Sequence, residues 1–236
     1  MDVREIGNAT LILADCAEVL PDLKGIAALI ADPPYGINFC HSGHPGKGIT
    51  SVRAKFNKTN NGWVKGDDRP FDPTPLLGLA PKLILWGANH YADRLPPSAR
   101  WLIWDKVCNP RSYGSWSFAD CEMAWTNLKG TARLFAHLWN GCRRAGEENS
   151  FIAQRVHPTQ KPVALMDWCI ELCNLEPGAL VVDPYAGSGT TGAAAIRRGL
   201  RFIGIELDPQ HFQTAVDRLE KEVAAQASKR QLALLA

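Results

Sequence analysis

The sequence contains no apolar run long enough to cross a bilayer, and its first twenty residues do not form a secretory signal, because charged side chains such as Asp2 and Arg4 interrupt them. It also lacks any C-x-x-C pair. The seven cysteines are scattered and odd in number, so neither a disulfide framework nor a zinc site is indicated. We therefore expect a cytoplasmic protein that binds no metal and no membrane.

Acidic residues are missing from one stretch, Gly36 to Gly66. The net charge of the whole chain is only +2, which by itself indicates no particular partner. This stretch, in contrast, is basic, and its cations are Lys47, Arg53, Lys55, Lys58 and Lys65. Its frequent glycines and its lack of apolar periodicity predict a long, mobile, positively charged loop within residues 36–70.

Short apolar runs alternate with helical patterns along most of the chain. The runs IAALIAD, KLILWGA, ALVVDP and RFIGIEL predict buried strands, a helical stretch is expected near NHYADRL, and two longer helices should begin near Pro162 and Pro209. This alternation is typical of an α/β fold with an open, mostly parallel sheet and helices on both faces. With 236 residues, 46% of them hydrophobic, we expect a single domain over residues 1–236.

The middle of the chain fits this alternation poorly. Residues 107–155 contain two short strand patterns, CEMAWT and ARLFAHLW, joined by turns that carry glycine and arginine. We interpret this segment as an insertion on the sheet.

A glycine-rich turn follows the run ALVVDP. In VVDPYAGSGTTGAAA, Gly187, Gly189 and Gly192 match G-x-G-x-x-G between a strand and a helix, and Glu206 ends the next strand. Glycines let a ligand approach the backbone closely, and the acid can accept both hydroxyls of a ribose. Because any adenosine-bearing cofactor has these groups, the pattern predicts the kind of site but not the cofactor.

The stretch IADPPYG places Asp32, Pro33, Pro34 and Tyr35 at the end of another predicted strand. The prolines have no N–H, so the carbonyl of Pro33 is left as a fixed acceptor beside the carboxylate of Asp32. Two adjacent acceptors suit a group with two N–H donors, such as the exocyclic amine of a nucleobase, and Tyr35 offers a flat face for that base. The carboxylate would also stabilise positive charge that develops on the attacking nitrogen.

These strings together resemble the DNA amino-methyltransferases, which act on adenine N6 or cytosine N4. DPPY is similar to the catalytic motif of that family, DPYAGSGTTG to its cofactor loop, and GIELDP to its ribose-binding strand. HPTQKPVALM and ILADCAEVL are similar to two further motifs. The catalytic motif precedes the cofactor loop, which resembles the beta-class order and implies a Rossmann-like methyltransferase fold with an inserted recognition segment at 107–155.

The resemblance implies S-adenosylmethionine as cofactor and assigns site residues. Asp32, Pro33, Pro34 and Tyr35 would hold the extrahelical base and catalyse the transfer. The implied cofactor-binding residues are Asp15, Cys16, His157, Thr159, Lys161, Asp183, Tyr185, Gly187, Ser188, Thr190 and Glu206.

The implied partner is double-stranded DNA, from which the target base must be flipped. We expect contacts to DNA from the five loop cations and from Arg111, Arg143 and Arg144. In the family that the sequence resembles, Asp at the head of the catalytic motif is typical of the adenine enzymes, which favours adenine, and cytosine N4 is the alternative. A nicotinamide-dependent oxidoreductase, a catalytically silent nucleic-acid-binding protein and a methyltransferase of RNA or of a protein amide also stay open. The resemblance further suggests a homodimer.

Overall fold

The computed structural model describes residues 1–38, 65–114, 119–140, 143–145 and 160–235. Its strands are β1 (Asp2–Ile6), β2 (Ala9–Leu13), β3 (Ile26–Ala31), β4 (Leu83–Trp86), β5 (Trp101–Asp105), β6 (Cys121–Thr126), β7 (Arg133–Ala136), β8 (Trp139–Asn140), β9 (Arg143–Arg144), β10 (Leu180–Asp183) and β11 (Arg201–Glu206). Its helices are α1 (Cys16–Val19), α2 (Val163–Cys173), α3 (Thr190–Arg197) and α4 (Pro209–Leu235). None of these helices is long and apolar enough to cross a membrane.

Nine of the strands form one sheet in the order β1-β2-β11-β10-β3-β4-β6-β5-β7. The five strands from β2 to β4 in that order run parallel. Strands β3, β4 and β10 are almost continuously apolar and buried, as expected for strands covered on both faces. The prediction of an open, mostly parallel α/β sheet is confirmed.

Helices α2, α3 and α4 cover one face of this sheet, and α1 packs on the other through Val19. The rest of the second face is covered by short turns, which include two 3₁₀ turns at Ala88–His90 and Ala92–Arg94. The prediction of a helix near NHYADRL is therefore wrong. Gly87 before the first turn has a φ of 70°, and Tyr91 between the turns is held by a 2.6 Å hydrogen bond from its hydroxyl to the carbonyl of Trp86.

The third glycine of the glycine-rich turn has a packing role. A Cβ added to Gly192 would lie 2.7 Å from the ring of Phe202 and 2.9 Å from Leu219. Only a glycine lets α3 lie this close to β11 and α4. This packing fixes the start of α3 above the end of β10.

Two strands of the segment 107–155 belong to the central sheet. β6 lies antiparallel between β4 and β5, and β7 extends the edge beside β5. The end of β6 is buried, from Ala124 to Thr126, because it pairs with strands on both sides. Only the remainder of the segment can therefore be an insertion, and its boundaries stay a prediction.

Candidate active site

The site lies where the strand order changes direction. From β10 the chain passes through α3 to β11 on one side, whereas from β3 it continues to β4 on the other. Open α/β sheets bind ligands at such a point, outside the carboxyl ends of the strands. Asp183 ends β10, Glu206 ends β11, and Asp32 directly follows β3. The sheet thus brings together three acids that are far apart in the sequence.

The carboxylate of Asp32 has a donor on each oxygen. The hydroxyl of Tyr35 donates to Oδ1 at 2.6 Å, and the ammonium of Lys161 donates to Oδ2 at 2.6 Å. The same ammonium lies 3.1 Å from the Tyr35 hydroxyl. Burial raises the pKa of Asp32, and the charge of Lys161 partly opposes this rise. Burial alone would lower the pKa of Lys161, but Asp32 and Glu122 outweigh it and raise that pKa.

The ring of Tyr35 is fixed by two neighbours. It stacks on His90 with a centroid distance of 5.2 Å and an interplanar angle of 15°. A Cβ added to Gly87 would fall 1.9 Å from the ring, so the close approach of β4's end requires glycine there. A stacked base would have to use the face of Tyr35 opposite His90.

A second acid, Glu122 of β6, reaches the same cluster. Its Oε2 lies 3.0 Å from the Lys161 ammonium, and its Oε1 accepts a 2.8 Å hydrogen bond from Lys106. Burial would raise the pKa of Glu122, but the two lysines outweigh it and lower that pKa to about 2. Neither Glu122 nor Lys106 was among the residues predicted from the sequence, since no motif contains them. The strand of Glu122 was interpreted as part of an insertion, and Lys106 lies between β5 and that segment.

On the other side of the crevice, Asp183 is held by neutral donors. The amide of Tyr185 donates to Oδ1 at 3.0 Å, and the hydroxyl of Thr191 donates to Oδ2 at 2.6 Å. The side chain is buried, and this burial raises its pKa to about 7 although both hydrogen bonds act to lower it. Asp183 can therefore change its charge near neutral pH.

Glu206 is oriented by backbone amides. Gly187 donates to Oε2 at 2.8 Å, and Asp208 donates to Oε1 at 2.8 Å. Burial raises the pKa of Glu206, and these amides oppose the rise. Each carboxylate oxygen can accept a further hydrogen bond, as a pair of ribose hydroxyls requires. Nearby, Lys65 forms a 2.9 Å ion pair with Asp208, so this loop cation lies on the cofactor side of the crevice.

Asp15 and Cys16 lie beside Glu206, because the amide of Ala14 donates to the Glu206 carbonyl at 3.0 Å. Asp15 caps α1, and its Oδ1 accepts from the amide of Ala17 at 2.9 Å. Cys16 hydrogen-bonds the Tyr185 side chain, and burial is the main cause that raises the pKa of its thiol. The motif near Ile12 is thus at the same end of the sheet as the glycine-rich turn.

The structure places the remaining predicted residues as follows. Ser188 and Thr190 are buried at the start of α3. Lys161 contacts the catalytic-motif carboxylate, as described above, although the family resemblance had assigned it to the cofactor. Arg111 is exposed in a 3₁₀ turn, and Arg143 and Arg144 pair in β9 with β8. Outside the described residues lie His157, Thr159, Lys47, Arg53, Lys55 and Lys58.

The carboxyl-end crevice, with an acid on each of two adjacent parallel strands, defines a nucleotide-type binding site on an open α/β sheet. Residues 82–217 match the N6_N4_Mtase family model, which is described as DNA methylase. This is more than half of the chain, and the protein therefore belongs to the DNA methylase family. The match includes Lys161 and the glycine-rich turn but begins after Tyr35.

Two curated proteins are similar over part of the chain. The DNA adenine methyltransferase YhdJ of Escherichia coli (strain K12) is 48% identical over 77 residues, which are 33% of this chain and 25% of that protein. The type II methyltransferase M2.DpnII of Streptococcus pneumoniae is 47% identical over 66 residues, 28% of this chain and 24% of that protein. The similarity thus spans about a quarter of the length of these relatives.

One solved structure, the M1.HpyAVI–SAM complex, shares the fold over nearly its whole length. It is 22% identical, has a TM-score of 0.51, and the match covers 89% of this chain and 98% of that chain. This similarity, together with the strand order, establishes the Rossmann-like methyltransferase fold.

Proposed function

We propose that the protein transfers a methyl group from S-adenosylmethionine to N6 of adenine in double-stranded DNA after the base has been flipped out of the helix. The observation that carries this proposal is the position of Asp32, which directly follows β3, the strand beside the one that ends in Asp183. The family and the DNA adenine methyltransferase among the relatives support it. Cytosine N4 is the alternative, because the matched model covers both.

The residues of the cofactor side fit S-adenosylmethionine by their donor and acceptor chemistry. The carboxylate of Glu206 would accept the ribose hydroxyls, and Asp183 would accept N–H donors from the methionine end. The cofactor supplies a methyl group on a positively charged sulfur. Glu206 and Asp183 end neighbouring strands, so one extended ligand can contact both.

The residues of the base side would bind and orient the amine. The Asp32 carboxylate and the Pro33 carbonyl would each accept one N–H, which favours a pyramidal nitrogen whose lone pair faces the methyl group. The new C–N bond would form as the C–S bond to the methyl group breaks, so that the positive charge passes from the sulfur to the amine. Asp32 stabilises that charge and is a base within reach of the proton that the product nitrogen must lose.

The test is methyl transfer itself. The protein is incubated with labelled S-adenosylmethionine and mixed-sequence duplex DNA, the DNA is digested to nucleosides, and the product is identified. N6-methyladenine is expected, N4-methylcytosine would change the target base, and unlabelled DNA despite cofactor binding would contradict the proposal. Asp32→Ala should reduce transfer by at least about 10²-fold, because it removes an electrostatic stabiliser of the transition state, while cofactor affinity is largely kept.

We also propose a cytoplasmic location, where such a protein meets DNA, and a homodimer, which would combine two short recognition segments on one DNA site. Light scattering of the purified protein tests the second point. A monomer with full activity would contradict it.

A further inference from the structure

Lys161 occupies the acceptor that the target amine needs. Its ammonium donates to Oδ2 of Asp32 at 2.6 Å, and the Tyr35 hydroxyl already takes Oδ1. The Lys161 side chain is only 6% exposed, so it is a buried cation on a carboxylate. Although each carboxylate oxygen can accept a second hydrogen bond, an amine that binds Oδ2 would have to share this oxygen with the Lys161 ammonium and lie beside its positive charge.

Glu122 offers Lys161 a second acceptor close by. Its Oε2 is buried and lies 3.0 Å from the ammonium, but accepts no hydrogen bond from the part of the chain that the structure describes, so the contact is an ion pair with unused accepting capacity. The other oxygen is fixed by Lys106 at 2.8 Å. β6 itself is held in the middle of the sheet by β4 and β5, so the Glu122 carboxylate has a fixed position.

We propose that Glu122 is a positioning residue that receives the Lys161 ammonium when the target amine binds Asp32. This inference rests on the proposed function. In the free protein Lys161 neutralises Asp32; when the amine arrives, the ammonium shifts to Oε2 of Glu122 and exposes Oδ2. The cation stays paired throughout, which matters because an unpaired buried charge is strongly unfavourable. The Lys161 ammonium changes its acceptor in this shift but transfers no proton.

The charges around Asp32 allow the role of Glu122 to be tested by substitutions that raise or lower the pKa of Asp32. The groups that face it are Tyr35, Lys161, Glu122, Tyr91 and Asp183. The negative charge of Glu122 raises the pKa of Asp32, and the positive charge of Lys161 lowers it. Removing Glu122's charge therefore leaves Lys161 bound to Asp32 alone. Removing Lys106 instead leaves the negative charge of Glu122 less compensated, so that Glu122 attracts Lys161 more strongly.

The first measurement is the rate of methyl transfer by Glu122→Gln. We expect kcat to fall roughly 10- to 100-fold, the range of one hydrogen bond to a charged group, with unchanged cofactor affinity. Glu122→Asp keeps the charge and should retain more activity than Glu122→Gln. The matched control is Glu220→Gln on the exposed surface of α4, which should behave as the wild type. Thermal unfolding of each variant checks that it folds.

The second measurement is the pH dependence of kcat in two variants. If Glu122 had a purely structural role, the two substitutions would not shift the pH profile in opposite directions. Glu122→Gln should shift the acid limb to lower pH, because the pKa of Asp32 falls; Lys106→Met should shift it to higher pH, because that pKa rises. A wild-type rate in Glu122→Gln, or shifts of equal sign, would overturn the inference while leaving the proposed function intact. A wild-type protein that labels no DNA would instead refute the proposed function.

Discussion

The carboxyl groups on the two sides of the crevice have unlike partners. Asp32 is paired with a cation, whereas Asp183 has only a hydroxyl and an amide as donors. Asp32 is partly buried and Asp183 fully buried, and the pKa of Asp183 is raised to about 7. The difference follows from charge compensation, because a neighbouring cation favours the ionised form and neutral donors favour it less.

This contrast predicts that cofactor binding depends on pH. If Asp183 accepts N–H donors of the cofactor, its ionised form binds more tightly, so the affinity should fall as the pH drops through about 7. Calorimetric titration with S-adenosylmethionine between pH of about 5.5 and 8.5 measures this dependence. Asp183→Asn should bind weakly at every pH in that window. A pH-dependent affinity in Asp183→Asn like that of the wild type would assign the titration to another group, such as His211.

Single residues could be predicted where a motif and a strand end coincide. Asp32, Asp183 and Glu206 each terminate an apolar run, and parallel strands bring such ends to one edge. Glu122 could not be predicted in this way, since it lies inside a strand. Its partners Lys106 and Lys161 come from distant parts of the chain, and only the folded sheet shows that they meet.

At the scale of elements, the parallel strands were predictable because strands buried on both faces are apolar throughout. The position of β6 could not be predicted, since the string CEMAWT does not indicate which strands lie on either side of it. The segment after β4 also differed from the predicted helix, because Gly87 bends the chain into short turns around the buried Tyr91.

The turn after β4 should control the catalytic motif through Tyr35. Gly87→Ala places a methyl group against the Tyr35 ring and strains a left-handed backbone, so we expect a loss of about 2–4 kcal/mol in unfolding free energy and a large loss of methyl transfer. Gly25→Ala is the matched control, because its φ of 68° gives the same backbone strain but its Cβ meets nothing within 4 Å. Equal effects of the two substitutions on transfer, measured alongside urea unfolding, would rule out the contact with Tyr35.

At the scale of the whole molecule, the sheet divides the work between two halves. On one side, Glu206 and Asp183 end β11 and β10, and Asp15 lies just after β2. On the other side, Asp32 directly follows β3, and Glu122 lies in β6. The basic loop connects the halves along the chain: Asp32 and Tyr35 precede it, and Lys65 near its end pairs with Asp208 beside the cofactor side.

The loop cations should contribute to DNA affinity through counterion release. Each phosphate contact lowers the slope of log K against log salt by about 0.9, so replacing Lys47, Arg53, Lys55, Lys58 and Lys65 by Ala should make that slope less negative by about 4 to 5 if all five contact phosphates. Fluorescence anisotropy with a labelled duplex over a salt series measures it. Replacement of Lys221, Lys229 and Arg230 on α4 by Ala provides a control that removes charge elsewhere. An unchanged slope in the loop variant would show that the loop cations do not contact DNA phosphates.

The series Lys106, Glu122, Lys161 and Asp32 alternates in sign and sums to zero. Only Lys161 is fully buried, but ion pairs withdrawn from solvent are often no more stable than apolar residues of the same volume. If variants of this protein are selected only for thermal stability, apolar side chains should therefore accumulate at these four positions, and methyl transfer should be lost. The four charged residues should be retained only if the variants are selected for methyl transfer at the same time.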